Sequence, residues 1–132
     1  MFDFFKSESE MMEALKVVDP VSEAAENSAR LLQAGLQLSA ASKALSKAHT
    51  ERKILEARKF LKLKNYAAQS GERLTIKDYE ALIASDEDVI KAKQIETEAQ
   101  FKADQAKALV DALQQKGMLL QALLKYKTGG II

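Results

Sequence analysis

From Val89 to Leu124 the chain places Val89, Ala92, Glu96, Ala99, Ala103, Ala106, Val110, Leu113, Gly117, Leu120 and Leu124 at strictly alternating steps of three and four. Only an α-helix brings such positions onto one stripe, and a seam sustained this long needs a second helix to cover it. Alanine at so many seam positions implies close approach of that neighbour, and Glu96 and Gly117 interrupt the apolar run. An earlier stretch reads the same way. From Val21 to Gln69 only Gly35 could break a helix, and Ala24, Ser28, Leu31, Gly35, Leu38, Ser42 and Leu45 follow the same steps with small residues interleaved. If continuous, that helix would be about 75 Å long at 1.5 Å per residue.

Local signals set the boundaries. Met11, Met12, Leu15 and Val18 take helical spacing within Ser7 to Val18, and Asp19-Pro20 then supplies an N-cap and a first helical position. Ser70-Gly71 ends the second helix, because glycine fits the left-handed position after a helix. Thr75 with Asp78 predicts a capping box opening a short helix over Ile76 to Ala84, and Ser85 with Asp88 repeats the signal. The last helix runs to about Lys125, before Thr128-Gly129-Gly130. The expected fold is therefore all-α, a long helical hairpin with short accessory helices. Residues 1–20 form an N-terminal amphipathic segment and residues 21–132 one helical domain.

A compact globule of this length has a radius of gyration of only ~14 Å, far less than half of such a helix. The seams can pair within one chain or between chains, and apolar stripe left over calls for intermolecular packing. Val110, Leu113, Leu120 and Leu124 are the expected oligomer interface.

Several function classes drop out. The absence of cysteine removes disulfides, thiolate metal sites and a cysteine nucleophile, and it suits a reducing cytoplasm. The longest uncharged stretch, Leu31 to Ser42, is short of the ~20 apolar residues of a membrane span. Met1 to Lys6 lacks the basic start of a signal peptide. His49 is the sole histidine and reads as a surface or interface residue. Asp86, Glu87, Asp88, Glu96, Glu98 and Asp104 match no metal-ligand or carboxylate–histidine spacing, and no glycine-rich phosphate loop occurs. The expectation is a non-enzyme without cofactor or metal.

Charge is uneven even though the net charge is only +1. Lys43, Lys47, Arg52, Lys53, Arg58, Lys59, Lys62 and Lys64 are opposed along that stretch only by Glu51 and Glu56, a local excess of +6. On a helix Lys43, Lys47, Arg58 and Lys62 share an arc of about 100°, with Lys53 and Lys64 beside it. Such a track binds a phosphate backbone by displacing condensed counterions. The bland alternative is a solvated helix face. Phe60, Asn65 and Tyr66 are placed to stack on or bond to bases, although Phe60 and Tyr66 equally suit a core.

The order of these features resembles the UvsY-type recombination mediators of tailed phages. Leu61-Lys62-Leu63-Lys64, with Tyr66 and Ser70-Gly71 after it, is similar to the family's Leu-Lys-Ala-Arg motif with its Tyr and Ser-Gly. Ser85-Asp86-Glu87-Asp88-Val89-Ile90-Lys91 is similar to its Asp-x-Asp-Val-Leu-Lys segment, and Lys116-Gly117-Met118 to the Arg-Gly-Phe of its terminal helix. Lys64 stands where the family has Arg, and Met118 where it has an aromatic. The likeness spans Lys53 to Gly129 and leaves the residues before Ala40 unassigned. It implies an oligomeric ring, roughly six to eight copies closed by symmetry, in the cytoplasm of a host cell. That ring would bind single-stranded DNA and help a recombinase displace a single-strand-binding protein. Lys62 and Lys64 become the leading DNA contacts, with Arg58 and Lys59 beside them and Lys43 and Lys47 further along. Two rivals remain: a structural or scaffolding protein of a virion, and a coiled-coil adaptor gripping another protein through Phe2, Phe4, Phe5, Met11 and Met12.

Overall fold

A computed structural model of the chain describes residues 19–127. Three helices and no strand occur among the described residues: α1 (Pro20–Ser70), α2 (Ile76–Ala84) and α3 (Glu87–Lys127). The expected all-α class and its pair of long helices are present. The N-terminal helix expected before Asp19 and the stop at Gly129-Gly130 lie outside the described residues.

Each boundary has a local cause. Asp19 Oδ1 accepts from the Val21 and Ser22 amides at 3.1 and 3.4 Å, and Pro20 fills the first helical position, where no amide proton is needed. Gly71 takes φ +76° after α1, the left-handed conformation that costs a β-carbon strain. The capping box forms as expected. Thr75 Oγ1 accepts from the Asp78 amide at 3.2 Å, and Asp78 Oδ2 accepts from the Thr75 amide at 2.9 Å. The start of α3 differs from the expectation. Ser85 ends α2, and Asp86 does the capping, accepting from the Asp88 and Val89 amides at 2.9 and 3.2 Å. A carboxylate satisfies two orphan amides and also faces the positive helix end.

The described residues group into two compact units, residues 19–38 with 105–127, and Ser39–Asp104. In the first, the start of α1 runs antiparallel to the end of α3. Asn27 Nδ2 donates to the Leu113 carbonyl at 3.0 Å, Lys116 pairs with Glu23, and Ala34, Leu120 and Leu123 are buried. In the second, the rest of α1 lies antiparallel to the first part of α3, as the pairs Arg52–Glu96 and Lys59–Asp88 show. Here α2 is tied to α1 by Phe60 against Tyr79, ring centroids 5.0 Å apart.

All eleven α3 seam positions are buried or half-buried. The α1 seam is displaced from its expected row. Ser28, Gly35 and Ser42 are exposed, while Asn27, Ala34 and Ala48 are buried and Ala41 is half-buried. Both rows share Leu31, Leu38 and Leu45, so spacing alone does not choose between them. The earlier row packs Ala41 in place of the Ser42 hydroxyl, and its Asn27 is tied to the Leu113 carbonyl across the interface. No helix among the described residues is long and apolar enough to cross a membrane.

Candidate nucleic-acid interface

The cations of the track all lie on α1 within the Ser39–Asp104 unit. Folding divides them into two classes. Arg52 sits on the seam, where it bonds Glu96 and donates to Glu56 Oε1 at 2.7 Å. These hydrogen bonds hold its guanidinium firmly protonated. Lys59 donates to Asp88 Oδ2 at 3.0 Å and lies 3.3 Å from Asp86 Oδ2. Those bonds, Asp88 first, raise its pKa. Lys59, one of the expected DNA contacts, is thus held by two carboxylates where α1 meets α3.

Lys43, Lys53, Arg58, Lys62 and Lys64 are exposed and make no ion pair among the described residues. Lys47 has only Glu51, 3.9 Å away with both groups well exposed, an arrangement of little energetic weight. The excess of +6 falls to +3 once Asp86, Asp88 and Glu96, brought in by folding, are counted.

Helix geometry sorts the rest. Arg58 and Lys62 are one turn apart and therefore neighbours, whereas Lys62 and Lys64, two residues apart, point about 160° away from each other. Arg58 and Lys62 thus form one exposed edge, which Lys43 and Lys47 continue; Lys64 and Lys53 form another. Between Ala57 and Gln69 α1 carries no acidic residue. Tyr66 follows Lys62 by one turn and is 59% exposed, while Phe60 is engaged with Tyr79.

Sequence reasoning missed a cluster on the seam. His49 Nδ1 lies 2.9 Å from Glu96 Oε1, and since an ionised carboxylate has no proton to give, the imidazole donates. Bonds from Arg52 and then His49 bring the Glu96 pKa down to about 2. The signal was present in two places, a carboxylate interrupting a seam and a lone histidine, but their partners are remote in sequence.

Val110, Leu113, Leu120 and Leu124 are half-buried or buried within the single chain, with Leu120 only 1% exposed. No group of three or more metal-ligating side chains occurs among the described residues. No family model, curated protein or solved structure matches the chain.

Proposed function

We propose that this chain is a non-catalytic, single-stranded-DNA-binding recombination mediator that works as a homo-oligomer. It would hold the strand while a recombinase is loaded in place of a single-strand-binding protein. The observation that carries the reading is the exposed stretch of α1 from Ala57 to Gln69, free of carboxylates, on which Arg58 and Lys62 stand one turn apart. The mediator role itself rests on the resemblance of Leu61 to Lys64 and of the segments after it to the UvsY-type family. Backbone binding neutralises phosphates without reading sequence, so log affinity falls linearly with log salt, at about 0.7 per phosphate contacted for single strands.

Titrating poly-dT at several salt concentrations tests this. The double change Arg58→Ala and Lys62→Ala should weaken binding steeply and lower the salt slope by about 1.4. Lys59→Ala should do less, since its charge is already neutralised by Asp86 and Asp88. A second reading has one observation in its favour: the fold spends Arg52 and Lys59 on internal ion pairs. On that reading the helices build a scaffold with no nucleic-acid role, and the parent protein shows no salt-dependent binding to any strand.

A further inference from the structure

We propose that Tyr66 is the stacking platform for an unpaired nucleobase, so that the α1 edge takes single-stranded nucleic acid by base and backbone together. This rests on reading Arg58 and Lys62 as phosphate contacts. Packing does not account for Tyr66. The packed row of α1 continues through half-buried Leu63 and buried Ala67, leaving Tyr66 59% exposed at its side. The other aromatic residues nearby have a partner, Phe60 and Tyr79 meeting at 56° between ring planes. Of the Tyr66 polar groups, the backbone carbonyl accepts from Ser70 Oγ at 2.9 Å, and the phenol makes no hydrogen bond among the described residues.

The surroundings fit a base better than a protein side chain. Arg58, Lys62 and Tyr66 follow one another at steps of four, so each is beside the next along the helix. Gln69, three residues on and so beside the ring on the helix surface, offers both a donor and an acceptor to a base edge. A strand with phosphates on Arg58 and Lys62 would bring its next base over the phenol. Stacking on an aromatic face tolerates any base, but it requires a base not already stacked in a duplex. The arrangement therefore selects single strands, which a row of cations alone does not do.

The test compares oligo-dT with an abasic strand of equal length, using the full chain at low salt. Tyr66→Ala should weaken dT binding about tenfold, the scale of one stacked base, and leave abasic binding unchanged. Tyr66→Phe should keep the parent affinity, and Arg58→Ala with Lys62→Ala should lose affinity on both strands. If Tyr66→Ala affects both strands equally, or neither, stacking is wrong while the phosphate track stands. If Tyr66→Ala instead lowers the native particle mass at unchanged helicity, the ring packs against protein and the proposal is overturned. A parent that binds neither strand removes the phosphate reading, and the stacking with it.

Discussion

Glu96 occupies a position where a coiled-coil seam favours an aliphatic side chain, and its surroundings explain why a carboxylate is tolerated. Arg52 and His49 bond both of its oxygens, and Glu56 takes a second arm of the guanidinium. A carboxyl held at about 2 in the folded chain against an unfolded value of about 4.3 stabilises the fold whenever it is ionised. That contribution is fully present above the unfolded value and is lost as pH falls toward 2. Glu23 and Asp86 act in the same sense. Lys116 chiefly lowers the Glu23 pKa; for Asp86, burial pushes upward but the Val89 amide and Lys59 outweigh it. The thermal midpoint should therefore drop between about pH 4.5 and pH 2, with a shallower drop in Glu96→Gln; equal slopes would refute the assignment. The other seam interruption, Gly117, has a different cause. Asn27, only 3% exposed, reaches across to the Leu113 carbonyl, and a β-carbon on residue 117 would lie 3.2 Å from its Nδ2. With Asn27→Ala in place, Gly117→Ala should gain about 1 kcal/mol from helix propensity, and clearly less with Asn27 present. Urea unfolding of the four proteins of that cycle gives the coupling.

At the level of elements, α1 shows where the sequence was readable and where it was not. Its ends were legible because caps and stops are local chemistry, as at Asp19-Pro20 and Gly71. The α3 seam was legible along its length because its apolar spacing is long and regular, although at its end Leu123, fully buried, takes the place expected of Leu124. The α1 seam had two candidate rows sharing three leucines, and the choice rests on what faces each row across the interface. Gly35 separates the two possibilities experimentally. It is exposed, and an added β-carbon there meets nothing within 4 Å. Gly35→Ala should then stabilise the chain by about 1 kcal/mol, read as a higher urea midpoint; a loss of stability would restore the expected row. The cationic track was half legible for a related reason. Counting charges along the chain found the lysines and arginines of α1, but the carboxylates that neutralise Lys59 and Arg52 lie 27 to 44 residues further on. Only folding brings them in.

For the molecule as a whole, the matter left open by two long helices is what covers their outer faces. One seam is satisfied inside each unit, yet Leu32, Leu36 and Met118 stay exposed in one unit and Leu61, Ile95 and Phe101 in the other. Residues 31–42 carry no charge at all, although only some of them face α3. Depletion of charge on an exposed surface is the compositional mark of an interface core. The near-zero net charge of +1 does little to keep copies apart. Self-association of copies through such a face is accordingly the outcome to test. Substitutions in the α3 seam test it less cleanly than substitutions at exposed positions, because Leu120 is already buried within one unit. Leu120→Asp would bury a carboxylate without a partner inside the unit of residues 19–38 and 105–127, so loss of helicity should precede any clean dissociation. Leu32→Lys with Leu36→Lys changes only exposed positions, so helicity should persist while the particle mass falls. Sedimentation at micromolar concentration decides both points. A parent mass of 14.6 kDa would end the oligomer, and an unchanged mass in the Leu32/Leu36 variant would move the interface to another face.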